Sequence, residues 1–160
     1  DGLESRGLGD VYKRQNVTNG YENNEEANKT AFINGWFRTG DQGHFDDEGY
    51  LKISGRLKEI INRGGEKVSP LEVDNILMEH EAVEQVVTFA VKDNLLGEAI
   101  GVAIVLKSGI DCNEIGIKNY ASKHLADFKI PKYIRFLQEI PKGATGKLQR
   151  IGLAEKLGLE

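Results

Sequence analysis

Lys147 follows Gly146 in the run Pro141-Lys142-Gly143-Ala144-Thr145-Gly146-Lys147-Leu148-Gln149-Arg150. A lysine on a glycine-rich loop can reach a phosphate as a flexible point charge. The spaced glycines of a P-loop are missing, so this is not a Walker motif. Three earlier segments also set charge beside turn-forming residues: Gly35-Trp36-Phe37-Arg38-Thr39-Gly40-Asp41, then Gly55-Arg56-Leu57-Lys58-Glu59, then Asn62-Arg63-Gly64-Gly65-Glu66-Lys67-Val68-Ser69-Pro70-Leu71-Glu72-Val73. Taken singly, each has a plain explanation. An aspartate in Thr-Gly-Asp is a common turn former, and a Gly-Gly pair serves a hairpin.

Charge is concentrated near the end of the chain. Lys129, Lys132, Arg135, Lys142, Lys147 and Arg150 face Glu139 alone between residues 129 and 150. Such a stretch is either a solvated basic face or a surface that meets phosphates, and composition leaves both open. The formal net charge of −4 argues against a dedicated nucleic-acid binder. The single cysteine, Cys112, cannot form an intrachain disulfide and has no basic cluster beside it. His44, His80 and His124 are scattered over different segments and read as ordinary surface or packing residues. No apolar run approaches the roughly 20 residues of a membrane span, and no signal-peptide pattern opens the chain. A cytoplasmic protein is the default expectation.

The elements that must position these residues are legible in outline. Phe45, the acidic run Asp46-Asp47-Glu48-Gly49, and Tyr50 to Ile53 read as a hairpin. It cannot bury a core of its own, and is expected to be the trailing edge of a larger domain. Ser69-Pro70-Leu71-Glu72 predicts a helix start, with Ser69 as cap, Pro70 at the first position and Glu72 completing a capping box. Val73, Ile76 and Leu77 then share a face. Two β-rich runs, Val83 to Val91 and Ala99 to Leu106, are separated by a turn around Asp93 and Gly97. A helix over Asn113 to Leu125, a strand over Tyr133 to Leu137 and a last helix over Leu148 to Leu157, stopped by Gly158, complete the pattern. The expected fold is α+β: a three-stranded sheet plus a hairpin, flanked by helices, in about 100 residues.

In this order and spacing the four segments resemble the AMP-forming acyl-CoA synthetase and ligase superfamily, which also holds luciferases and peptide-synthetase adenylation domains. The resemblance runs from Asn16 to about Lys156. Within it, Asn16-Val17-Thr18-Asn19-Gly20-Tyr21 and the stretch from Asn62 to Pro70 look most like the oxalate–CoA ligase branch. The Asn-Arg-Gly-Gly-Glu-Lys run also occurs in ligases for aryl and other acyl acids. Glu25, where the family usually has Pro, and Gly143, where Thr is common, depart from the pattern at loop positions.

The resemblance implies a two-step reaction. A carboxylate attacks the α-phosphate of ATP to give an acyl-adenylate and pyrophosphate, and the thiol of CoA then displaces AMP. Lys147 matches the adenylation lysine, which neutralises charge building at the α-phosphate. Asp41 matches the carboxylate that accepts from both ribose hydroxyls, and Arg56 the arginine near ribose and phosphate. Lys58 falls at the hinge about which a C-terminal lid swings between the steps. Gly64 and Gly65 match the turn lining the pantetheine channel, and Lys67 is grouped with them as cofactor-binding. Mg²⁺ is implied too, with its protein ligand outside this sequence.

The implied organisation is residues 16–57 as the end of a large AMP-binding domain and residues 58–160 as the lid. The family's phosphate loop and acyl pocket normally precede Asn16, so the expected partners are that N-terminal domain and a small carboxylic acid, with no nucleic acid and no membrane span. The chain alone is not expected to run the full reaction. Residues 1–15 lack hydrophobic periodicity, and Asp10-Val11-Tyr12-Lys13-Arg14-Gln15 resembles translated transposase-adaptor sequence, so they are expected to be non-native. Resequencing the source locus checks this; a native frame through them would overturn it. Two other readings compete. A carrier-protein-loading adenylation domain usually shows Gln-Val-Lys-Ile-Arg-Gly after the hinge, where this chain has Glu59-Ile60-Ile61-Asn62-Arg63-Gly64. A non-catalytic nucleotide- or partner-binding module would leave Asp41, Arg56 and Lys147 together unexplained.

Overall fold

The computed structural model describes residues 17–143 and 146–159, so the expectation for residues 1–15 lies outside it. The chain divides into two compact units, Asp1–Gly40 and Asp41–Glu160. In the first, helix α1 (Glu25–Ala31) is capped by Asn24, whose side chain accepts from the Ala27 N–H at 3.0 Å. A two-residue ladder follows, β1 (Phe32–Ile33) against β2 (Trp36–Phe37), and Phe32 and Phe37 meet across it with ring centroids 5.2 Å apart. Sequence reading missed α1, because its seven residues hold no apolar side chain larger than alanine and no apolar stripe marks it.

The second unit opens with the expected hairpin, β3 (Asp41–Phe45) antiparallel to β4 (Leu51–Arg56). Asp46 makes the turn by accepting the N–H groups of Glu48 and Tyr50 at 3.1 and 2.8 Å. A 3₁₀ turn (Leu57–Glu59) leads to a second hairpin, β5 (Ile61–Arg63) and β6 (Glu66–Val68). Helix α2 (Pro70–Met78), strands β7 (Val83–Asp93) and β8 (Gly97–Leu106), helix α3 (Glu114–His124), strand β9 (Tyr133–Phe136) and helix α4 (Leu153–Lys156) complete the chain.

Strand β8 is the spine. It pairs antiparallel with β7 along its length, parallel with β9 from Gly101 to Ile104, and with β5 at Gly97. The outcome is the expected α+β architecture, three strands plus a hairpin joined at one end. Side chains alternate across β8. Ile100, Val102 and Ile104 face α2 and α3, packing with Val73, Leu77, Ile117 and Ala121. Ala103 and Val105 face the other way, with Val87, Phe89, Ile140 and Leu153. Because both faces are covered, the strand reads as a nearly unbroken apolar run.

Two local expectations are corrected. Ser69 precedes α2 in an extended conformation, but its hydroxyl caps no N–H of the helix. It donates instead to the carbonyl of Ser54, and Glu72 is held by Lys129, so the capping box does not form. The last helix is also far shorter than Leu148 to Leu157. Leu148 is drawn into an antiparallel bridge with Lys142. Gly152, at φ +76°, sits in the left-handed region where a helix cannot continue, and only Leu153–Lys156 coil.

Candidate active site

The hairpin register sets the first contact. Asp41 and Arg56 are directly opposed on β3 and β4, and the Arg56 Nε lies 3.0 Å from the Asp41 Oδ1. The guanidinium is 65 % exposed, so the pair stands at a surface where a polar ligand could approach both groups. A carboxylate offering acceptors beside a fork of donors suits a ligand carrying both hydroxyls and anionic oxygens. Neither residue type reveals the pairing; it depends on a bulge between Gln42 and Gly43 that shifts the register.

Lys58 is exposed within the 3₁₀ turn that leaves β4. Gly64 and Gly65 form the two-residue link of β5 to β6, at φ +60° and +96°. Positive φ at both central positions is the demand of a tight hairpin turn, and it explains both glycines before any ligand is considered. The Gly64 N–H also donates to the Leu96 carbonyl at 2.8 Å, tying this turn to the β7–β8 turn. Lys67 pairs with Asn62 across the ladder and is exposed.

Lys147 sits on a separate loop. The Gly143 N–H donates to the Lys147 carbonyl at 2.8 Å, and the Lys142–Leu148 bridge closes the stem. The side chain is exposed. The site residues thus fall on four pieces: the β3–β4 ends, the 3₁₀ turn, the β5–β6 hairpin and this loop.

The basic stretch resolves differently from either of its sequence readings. Lys129 pairs with Glu72, Lys132 with Asp93, Lys142 with Glu139, and Arg150 with both Glu59 and Asp74. Of the cations in this stretch, Arg135 and Lys147 have no carboxylate partner among the described residues. The stretch is neither a uniform solvated face nor a uniform phosphate-facing one; most of its charge is spent within the fold.

Arg150 differs most from its sequence reading. Its Nε donates to Glu59 Oε2 at 3.0 Å, and its Nη1 to Asp74 Oδ2 at 2.6 Å and to the Thr88 carbonyl at 3.1 Å. Asp74 also accepts the Thr88 N–H at 2.7 Å. Burial pushes the Asp74 carboxyl above its ordinary value, and the Arg150 charge and the Thr88 hydrogen bonds offset this only in part. The one available signal was an aspartate on the apolar face of α2, one residue after Val73: a charge in that position calls for a buried partner.

Residues 72–147 match the AMP-binding enzyme C-terminal domain family. The chain is 51% identical over 140 residues to a probable CoA ligase, CCL9, of Humulus lupulus, covering 88% of this chain and 27% of that protein. It is 49% identical over 151 residues to the oxalate–CoA ligase of Saccharomyces cerevisiae, covering 92% of this chain and 28% of that protein. The structure of ATP-bound MatB from Rhodopseudomonas palustris superimposes with a TM-score of 0.81 at 31% identity, covering 88% of this chain and 28% of that one. The chain therefore spans just over a quarter of the length of these relatives. Its fold is that of the C-terminal domain of adenylate-forming enzymes, and the segment 72–147 belongs to the AMP-binding enzyme C-terminal domain family, with CoA ligases among the proteins the chain resembles.

Proposed function

We propose that this chain is the C-terminal part of an ATP-dependent, AMP-forming carboxylate–CoA ligase, with Lys147 as its adenylation lysine. The observation that carries the reading is the contrast within the basic stretch. Four of its cations are paired with carboxylates, and Arg135 and Lys147 have no such partner among the described residues. Of these two, Arg135 lies on strand β9, and Lys147 is the one displayed on a closed loop, where it is exposed. An ammonium left available in this way can be delivered to a phosphate, where a water-excluded site makes its charge count most.

In this reading ATP supplies the activated α-phosphorus. Asp41 holds the ribose hydroxyls as an acceptor, Arg56 donates to the sugar and phosphate region, and Lys147 stabilises charge on the α-phosphate oxygens as the acid's carboxylate displaces pyrophosphate. Lys58 is the hinge between residues 16–57, the end of a larger AMP-binding domain, and residues 58–160, the lid. Rotation there withdraws Lys147 and brings Gly64, Gly65 and Lys67 to the pantetheine arm of CoA. The thiol then attacks the acyl carbon and AMP leaves. The described residues offer no group of three His, Cys, Asp or Glu side chains able to hold a metal; Mg²⁺ on the ATP phosphates would take its protein ligand from outside this sequence. Among the described residues no helix is long and apolar enough to cross a membrane; the compartment we propose is the cytoplasm. Relatives that are oxalate–CoA ligases favour a small carboxylic acid as substrate.

The test is Lys147→Ala in the intact ligase. Adenylation, followed by ATP–pyrophosphate exchange, is expected to fall by about 10²- to 10³-fold, while thioester formation from preformed acyl-adenylate stays within a few-fold of wild type. Equal loss of both half-reactions would remove the alternating-lid role. Pyrophosphate release across oxalate, short fatty acids and aryl acids identifies the acid.

A further inference from the structure

Arg150 does more than fill a buried charge site. The Nη1 edge of its guanidinium already meets Asp74 on α2 and the Thr88 carbonyl on β7. Those two contacts give the cation a carboxylate and a carbonyl partner inside the fold. The Nε edge reaches in another direction, to Glu59, the last residue of the 3₁₀ turn and the neighbour of Lys58. Glu59 is a quarter exposed, so water could solvate its carboxylate without this arginine. The contact spans 91 residues of sequence, and its two ends are informative. On one side is the hinge turn. On the other, two residues before Arg150, Leu148 closes the stem of the loop that carries Lys147.

We propose that Arg150 is a positioning residue that clasps the stem of the Lys147 loop to Glu59, so that the hinge turn and the lysine loop are held in fixed register. This rests on the roles given above to Lys147 and Lys58. A lysine at position 150 would not serve, because a single ammonium lacks the fixed fork that lets one group bind along two edges. The clasp matters because small displacements of a catalytic group are costly: an error of about 1 Å can cost about 10²-fold in rate.

The experiment uses the intact ligase and measures both half-reactions, the KM for ATP and the thermal midpoint for Glu59→Gln, Arg150→Lys and the double variant. Glu59→Gln leaves Arg150 with Asp74 and Thr88, so it is expected to fold with an unchanged midpoint. The glutamine amide oxygen is a neutral and weaker acceptor, and the amide NH2 cannot accept, so the charge-assisted clasp to Nε is lost. The variant's kcat for adenylation should fall about 10- to 100-fold, with KM for ATP and the thioester half-reaction within about two-fold of wild type. The double variant should be no slower than Arg150→Lys alone, since the contact that Glu59→Gln weakens is among those already lost with the guanidinium. An adenylation rate for Glu59→Gln equal to wild type would overturn the proposal, as would loss of both half-reactions in proportion. Lys147→Ala run in parallel separates the two claims. If that variant loses adenylation while Glu59→Gln does not, only the clasp fails; if Lys147→Ala keeps adenylation, the underlying reading fails with it.

Discussion

The β3–β4 and β7–β8 hairpins both turn on an aspartate that accepts backbone N–H groups from the residues just after it. Asp46 serves Glu48 and Tyr50, and Asp93 serves Leu95 and Leu96. Beyond the turn they diverge. In β7 and β8 most side chains are buried, among them Phe89, Val91, Ile100 and Ile104. In β3 and β4 the large apolar residues Phe45, Leu51 and Ile53 stand more than half exposed, as does Tyr50 in the turn. The same turn chemistry therefore supports a structural frame in one place and a displayed surface in the other. The displayed surface is where Asp41 and Arg56 meet. That division suits the proposed organisation, in which β3–β4 belongs at the junction with a larger domain.

Three substitutions would break or sharpen this contrast. The largest effect is expected from Phe89→Ala, which empties a fully buried position on β7. It should cost about 3–5 kcal/mol in urea denaturation of this chain; a cost under about 1 kcal/mol would mean that β7–β8 is not the frame. Next comes the β7–β8 turn itself. The Lys132 ammonium and the Leu96 and Leu95 N–H groups hold the Asp93 carboxyl down at about 2, against an ordinary value of 3.8. A carboxyl that binds its proton more weakly when folded stabilises the fold fully above its unfolded value and loses that contribution as pH falls through its folded value. Asp93→Asn should therefore be less stable than wild type at neutral pH, with the gap closing between about pH 4 and pH 2. A gap independent of pH would deny the carboxylate its role. The smallest effect belongs to the exposed hairpin. Leu51→Ser should change the stability of this chain by less than about 0.5 kcal/mol, measured the same way. A loss comparable with that of Phe89→Ala would show that β3–β4 carries core.

Sequence periodicity was enough to locate the frame, because its signals are local. Alternating or continuous apolar runs mark β7 and β8, Pro70 opens α2, and Asn113 caps α3 by accepting from Gly116. What stayed hidden depended on partners far along the chain. Ser69 reads as a helix cap until the Ser54 carbonyl is found beside it. Arg150 reads as one more cation of a basic segment until Glu59 and Asp74 close around it. Lys142 and Leu148 read as loop and helix until they pair. For the candidate site, residue types could be named from the motifs, but the direct opposition of Asp41 and Arg56 came only from a strand register with an irregularity in it. Local rules find elements; charges that choose distant partners are decided by the packing those elements achieve.

The parallel pairing of β9 with β8 has a consequence for how the chain is born. Antiparallel β7 and β8 are joined by a tight turn and can zip together as soon as Leu106 is free of the ribosome. The Gly101 to Ile104 edge of β8 then waits, unpaired and apolar, until Tyr133–Phe136 are translated and the intervening helix has carried them back. During that interval a largely apolar strand offers free backbone donors and acceptors to any neighbouring chain. Nascent copies are most exposed to misassembly in this window, and the arrival of four late residues ends it.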